Sequence, residues 1–449
     1  MRFRMSVSGP KDWHARSRLR KNDEASESIG VRSNTNLPLV TLALAALCFL
    51  PAGLFYFFAD HGVSSLAPGT IAACLIFLAI AISSGQGAIS ADRLANYVSL
   101  GVVIASVVLV HLVIADAIEV GGQPTRALTS LPVLMLMLAG AASLAALLQR
   151  NSPILDEAIA FVRWLLVGLD LLAIAGYHPW PGLWDKPVFP FSEPSHFALA
   201  ANPFLMHACV KNRGLKRGLW IFGSLTLAYL GRSLTMMVGV AVAGVICLPV
   251  YGLIGVSAIA VLSVPLMNIR YFTDRLDFDA GVKNLSSLVY REGWELFGDA
   301  ITRSSGWGVG FQQLGYAPFR SPSADAIYVI LHNDLNLRDG GFLLAKLGSE
   351  FGIFGVLLII AYLILATRVS LLARRVAQGT APEIPSHIVL SLCSICTFSV
   401  DIFVRDVGYF SGSVLLFVSS LYMLWANRDL VRHIRAMGER QVLEPSTQS

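Results

Sequence analysis

Apolar residues in this chain come in long runs rather than in stripes. Twelve stretches, about 37–58, 66–83, 96–116, 128–148, 158–177, 196–211, 218–230, 234–250, 252–268, 350–367, 387–404 and 410–427, are dominated by Leu, Ile, Val, Ala and Phe, with polar joints between them. Runs of roughly 17 residues or more are long enough, as helices, to cross a hydrocarbon layer of about 30 Å. Lipid cannot satisfy backbone N–H and C=O groups, so spanning segments must be helices or a closed barrel. The alternating ten-residue pattern of barrel strands is absent. The pattern predicts an all-α polytopic membrane protein of about twelve transmembrane helices. No internal repeat is evident.

One joint is long. Between residues 269 and 349 the hydropathy drops and the charge is near balanced, which predicts a folded extramembrane element with helices of its own. Leu285, Leu288, Val289, Leu296, Phe297, Ala300 and Ile301 fall on one helical face, interrupted at Glu292 and Gly293. Asn284 or Ser286 is placed to cap its start. The run Gly306-Trp307-Gly308-Val309-Gly310 reads as a tight turn where backbone could approach a ligand. A second helix is expected from near Gly340 straight into the tenth apolar stretch, with Lys346 and Glu350 on one face.

Composition agrees with the pattern. The 449 residues are 55% hydrophobic and only 14% charged, with mean hydropathy +0.63. A soluble chain carries about a quarter charged residues, so a soluble enzyme, a disordered chain and a disulfide scaffold are all poor fits. The net charge of +5 matters less than its distribution. If the N-terminus is cytoplasmic, the cytoplasmic segments hold 21 Lys plus Arg, and the short outer loops hold four: Arg126, Lys186, Arg232 and Arg405. This positive-inside asymmetry places both termini in the cytoplasm and residues 269–349 outside. The expected layout is a cytoplasmic tail (1–36), helices one to nine (37–268), a large periplasmic segment (269–349), helices ten to twelve (350–427) and a second cytoplasmic tail (428–449). The first apolar run is too long for a cleaved signal and reads as a signal anchor. All six cysteines lie in apolar runs, Cys393-x-x-Cys396 included, and read as packing residues rather than disulfides or a redox pair.

Candidate chemistry clusters on the outer side. Arg270, Arg275, Lys283, Arg291, Arg303, Arg320, Arg338 and His332 lie in the long segment, and forked guanidinium groups suit phosphate or diphosphate. The plainer reading pairs these arginines with nearby acids. Arg232 sits in a three-residue outer joint close to hydrocarbon, where a charge either snorkels to headgroups or binds an anion. Glu193 and His196 open the sixth stretch and could share a proton, as general-base work needs; a simple helix start is the alternative. Asp170 with Arg163, and Asp401 with Arg405, have the spacing of ion pairs within the bundle. The histidines show no metal-ligand spacing, no metal or cofactor is expected, and no phosphate-binding Gly-Lys-Ser/Thr loop is present.

Four motifs in order resemble a known group. They are Glu193-Pro194-Ser195-His196-Phe197-Ala198 opening a helix, the short joint Gly231-Arg232-Ser233-Leu234-Thr235, and Tyr290-Arg291-Glu292-Gly293-Trp294 followed by Trp307-Gly308-Val309-Gly310-Phe311. The last is His332-Asn333 with the run from Asp339 to Gly355. Over about residues 190–365 the chain resembles bacterial Wzy-type polysaccharide polymerases, relatives of the O-antigen ligases. In that family Ser often precedes the outer arginine, where this chain has Gly231, and His-Asn lies closer to the following glycine-rich run.

The resemblance implies a membrane glycosyltransferase of the bacterial inner membrane. It would join undecaprenyl-diphosphate-linked oligosaccharide repeats at the periplasmic face into a surface or secreted polysaccharide. A chain-length regulator and a flippase would be its partners, and nucleic acid would not. It implies catalytic roles for His332, Glu193 and Arg291, diphosphate contacts from Arg232, Arg291, Arg270 and Arg303, and substrate contacts from His196, Trp307, Gly308 and Gly310. Two rival functions fit the same sequence: an O-antigen ligase using a lipid A core acceptor, and a glycolipid transporter or flippase. The latter predicts inverted repeats and a midplane site.

Overall fold

The computed structural model describes residues 36–63, 65–83, 91–118, 120, 122–177, 179, 187–263, 270–275, 284–317, 319–332, 340–381 and 384–432. Each of the twelve apolar stretches contains a helix. The first five are α1 (Leu37–Phe58), α2 (Ala67–Ser83), α3 (Ala91–Ala117), α4 (Pro124–Arg150) and α5 (Ser152–Ile174). Four more follow: α6 (Pro194–Lys211), α7 (Gly214–Leu230), α8 (Leu234–Cys247) and α9 (Val250–Ser263). The long segment contributes α10 (Arg270–Thr273), α11 (Leu285–Arg303), α12 (Pro322–Leu331) and α13 (Leu343–Phe351). The chain closes with α14 (Ile353–Gln378), α15 (Ser386–Phe403) and α16 (Gly412–Ala426). Among the described residues there is no strand, only an isolated bridge between Val188 and Phe191.

Among the described residues five helices, α1, the part of α3 from Ser99, α4, α14 and α15, are long and apolar enough to cross a membrane. The exterior agrees. Val102, Val103, Val107, Val110 and Val113 of α3 are exposed, as are Ile353, Phe354, Leu357, Leu358 and Leu363 of α14. Apolar faces this continuous are not left to water; a hydrocarbon solvent fits them. The interior is packed through small residues. A Cβ on Gly140 of α4 would press into Cys74 of α2, and one on Gly239 of α8 would overlap the Asn202 amide of α6. Close backbone approach of this kind drives association where lipid removes the hydrophobic contrast between helices. At the centre lies α15, nearly all buried, against α6, α14 and α16. All six cysteines are buried and unpaired, and Cys393 and Cys396 pack inside α15 as small apolar groups.

The long segment differs from the sequence expectation in three places. First, α11 forms as expected, but the two positions that interrupt its apolar face are themselves buried. Glu292 and Gly293 lie inside it, fully buried, because Gly293 lets the backbone of Gly340 and the ring of Phe342 approach. Asn284 is its cap, accepting from the Ser286 amide at 3.0 Å. Second, α12 is a helix that the apolar pattern does not predict; Ser321 caps it with Pro322 in the first turn. Third, the expected helix from Gly340 through the tenth stretch is split at Gly352, which has φ +58°. The Gly306–Gly310 turn packs there. Val309 and Gly310 donate to the Ser349 and Glu350 carbonyls, and Ile353 donates to Gly306, each at 2.9 Å. These bonds satisfy carbonyls that a helix end leaves open. Lys346 and Glu350 do share a face, and both are buried.

Candidate functional site

The candidate site is assembled at one end of α6. Val188 and Phe191 exchange two backbone hydrogen bonds, and the Phe191 ring packs edge-on against Phe49 and Phe197. This anchored turn delivers Ser192, Glu193 and Pro194 to the helix start, with Pro194 in the first turn. Glu193 occupies the cap position but does not cap. Its carboxylate instead accepts from the Ser195 hydroxyl at 2.8 Å and from Arg405 Nη2 at 3.2 Å. His196 Nδ1 lies 3.0 Å from the Ser192 hydroxyl. The His196 ring borders an apolar crevice lined by Pro51, Phe191, Phe204 and Leu416.

The α7–α8 joint comes to the same place. Ser233 caps α8 by accepting from the Met236 amide, and donates its hydroxyl to the Pro194 carbonyl at 3.2 Å. Arg232, just before it, has φ +52°, a left-handed conformation that a residue with a Cβ adopts at some strain. The turn holds the Arg232 side chain outward, its guanidinium 5.7 Å from the Tyr271 ring centre. Arg275 stacks on the same ring at 4.4 Å, and its carbonyl accepts from Ser287 of α11 at 2.9 Å. Arg275 interacts electrostatically with both Glu193 and Arg405.

Four segments far apart in sequence thus bring together Glu193, Ser195, His196, Arg232, Arg275 and Arg405. Two guanidinium groups, Arg405 and Arg275, act on the Glu193 carboxylate, and Arg232 joins them through the Tyr271 ring that it shares with Arg275. Burial raises the Glu193 carboxyl, but Arg405, His196, the Ser195 hydroxyl and Arg275 outweigh it and hold its pKa at about 2. Glu193 is therefore ionised at neutral pH. The arrangement can bind a phosphate-type dianion on forked donors, with a carboxylate close by to accept a proton.

Two ion pairs expected from spacing do not form. Asp401 and Arg405 are four apart, but α15 ends at Phe403, so Arg405 leaves the helical face and pairs with Glu193 instead. Arg163 stacks on Trp220 at 4.7 Å. Asp170 lies beside Gly231, its Oδ1 only 3.2 Å from where a Cβ there would be.

The remaining predicted residues are placed elsewhere. Arg291 follows Ser287 by one turn and pairs with Glu295 at 2.8 Å. Glu295 also accepts from the Ser323 amide and hydroxyl, both at 3.0 Å, tying α11 to α12. Arg303 is exposed and lies over Phe319 at 5.2 Å. His332 is the exposed, left-handed residue that ends α12, and among the described residues no hydrogen bond or ion pair joins it to the Glu193 group. Trp307 stacks on His111 at 5.2 Å and 10°, and its carbonyl lies 2.9 Å from His111 Nε2. The space beside Gly308 and Gly310 is filled by the chain itself: a Cβ on Gly308 would reach the Gly352 amide and the Glu350 carbonyl, and one on Gly310 would press on Gln313 and Leu112. The side chain of Arg270, and all of Lys283, Asn333, Arg338 and Asp339, lie outside the described residues.

Arg405 is the member that spacing assigns differently, to Asp401, and Arg275 is one of several candidate arginines in the long segment that sequence does not single out. The available signal is topological: under the alternating layout Arg405 and Glu193 both fall at outer helix ends. No protein-family model, curated protein or solved structure matches the chain.

Proposed function

We propose that the chain is a polysaccharide polymerase of the bacterial inner membrane. It joins lipid-diphosphate-linked oligosaccharide repeats on the outer face. One observation carries this reading: Arg405 and Arg275 meet Glu193, and Arg232 shares the Tyr271 ring with Arg275, at one end of a bundle with an apolar exterior. In this proposal all twelve apolar helices span the membrane, both termini are cytoplasmic, and residues 269–349 are periplasmic.

The reaction needs a cradle for a departing diphosphate and a base for the attacking hydroxyl. The acceptor sugar's oxygen bonds to the anomeric carbon of the donor, and the bond from that carbon to the diphosphate oxygen breaks. Negative charge grows on the leaving diphosphate, where fixed guanidinium groups lower the barrier. Arg232, Arg275 and Arg405 take this role, and Arg291, paired with Glu295, and Arg303, over Phe319, stand outside the cluster. The hydroxyl proton goes to a carboxylate or imidazole, Glu193 or His332. No nucleotide is required, since the glycosyl diphosphate bond supplies the free energy.

The test is complementation of a strain that lacks its polymerase. Arg232→Ala and Arg275→Ala are expected to accumulate to normal levels and yield only single capped repeats on a surface-glycan gel. Normal chain-length ladders from both would remove the leaving-group role. Long chains retained on the lipid carrier in the null strain would point to a ligase. Cysteine labelling that placed the described part of residues 269–349 in the cytosol would overturn the topology.

A further inference from the structure

We propose that Glu193 is a built-in competitor for the anion site: its carboxylate and a ligand phosphate group contend for the same guanidinium of Arg405.

The pairing is incomplete. Arg405 meets the carboxylate through Nη2 alone, at 3.2 Å, rather than through the two-pronged contact a guanidinium can make. Its Nε is buried and has no hydrogen-bond acceptor, and the same holds for Nε of Arg275. Buried polar groups are rarely left so, and two adjacent guanidinium donors without acceptors point to a ligand richer in oxygens than one carboxylate.

The two partners also differ in enclosure. The Arg405 side chain is 17% exposed and that of Glu193 42%. The cation is the more enclosed partner and the carboxylate the more accessible one. Glu193 keeps a second partner, the Ser195 hydroxyl at 2.8 Å, which can retain it after Arg405 is taken. Displacement would therefore leave a carboxylate held by Ser195 but without its ion pair beside the newly bound anion. On the polymerase reading, on which this consequence rests, arrival of the donor would itself release the base. The ligand class is a phosphomonoester or diphosphate with at least two charged oxygens, either free in water or carried on a lipid.

The test is a double-mutant cycle on the full chain in nanodiscs, titrated with inorganic pyrophosphate and, in a second arm, with a short-chain polyprenyl diphosphate. Glu193→Gln keeps the shape and removes the competing charge, and is expected to bind pyrophosphate about tenfold more tightly. Arg405→Gln is expected to bind about tenfold more weakly, and adding Glu193→Gln to it should then give no gain. Should Arg405→Gln fail to fold, Arg405→Met removes the charge with an unbranched side chain that keeps the packing of the stem, and should also abolish the gain. A Glu193→Gln gain that survives loss of the Arg405 guanidinium would be general Coulombic relief and would overturn the proposal, as would no gain at all. Tighter binding of the lipid-linked form than of pyrophosphate would assign the ligand to the membrane; equal binding would assign it to the shared phosphate chemistry. The cycle reads binding and is independent of catalysis. Failure of the protein to make polymer would sink the polymerase reading and leave competition between Glu193 and a bound anion standing.

Discussion

Gly308→Ala is expected to loosen the long segment, and the size of the effect follows from the contacts. Gly308 has φ +94°, and an added Cβ would lie 2.5 Å from the Gly352 amide nitrogen and 2.6 Å from the Glu350 carbonyl oxygen. Both neighbours are backbone, so neither can swing away. A left-handed Ala is disfavoured by about 1–2 kcal/mol, and forced overpacking adds about 1–3 kcal/mol. Relief of the overlap would stretch the bonds from Val309 to Ser349 and from Gly310 to Glu350, each worth about 1 kcal/mol. A local destabilisation of roughly 3 kcal/mol raises the open population about 100-fold, and cleavage by a dilute protease follows that population. Gly306 is the internal control. It has φ +89° but nothing within 4 Å of its Cβ position, so Gly306→Ala carries only the conformational term, an increase of roughly 5- to 30-fold. The assay is limited proteolysis of the purified protein, timing cuts between residues 300 and 355. Equal cleavage rates for the two variants would refute the packing argument and return the turn to a ligand-binding role.

Other expectations follow from the same geometry. Glu295→Ala should free α12 from α11, because Glu295 accepts from Arg291 and twice from Ser323; hydrogen exchange of 321–331 should quicken, reflecting about 1.5–3 kcal/mol. Burial raises the Glu295 carboxyl, but Ser323, Arg291 and Ser321 together bring it below its ordinary value. Its contribution is therefore present above the unfolded pKa of about 4.3 and is lost as pH falls through the lower folded value, so α12 should loosen in acid; protection of 321–331 that stays constant on acidification, once the intrinsic pH dependence of amide exchange is divided out, would contradict this. Glu193→Ala should reduce polymer formation by more than His332→Ala, because Glu193 lies among the guanidinium groups whereas His332 is exposed at the end of α12; the reverse order on a surface-glycan gel would assign the base to His332.

The helices were legible because the signal is redundant. An unbroken run such as 387–404 fixes a helix by length and polarity together, and α15 spans Ser386–Phe403. The split at Gly352 was not legible, since the helical pattern continues through it; the cause is the Gly306–Gly310 turn, some forty positions earlier. Helix α12 is short and apolar on several sides, so periodicity is weak there, although Ser321-Pro322 was a readable start. In the site, Glu193, His196 and Arg232 stood out because polar residues at the mouths of apolar helices need a reason. Spacing pairs Arg405 with Asp401 because it cannot tell that α15 stops two residues too soon. Arg275 is one basic residue among many until Tyr271 and Glu193 single it out.

The most direct test is synthesis by the purified protein in lipid vesicles, supplied only with lipid-diphosphate-linked repeats. A polymerase built on this arginine cluster should give a ladder of polymers with one lipid diphosphate released per linkage formed, and no ladder from folded Arg275→Ala or Arg405→Ala. An inert wild-type protein, or ladders unchanged by both substitutions, would contradict it.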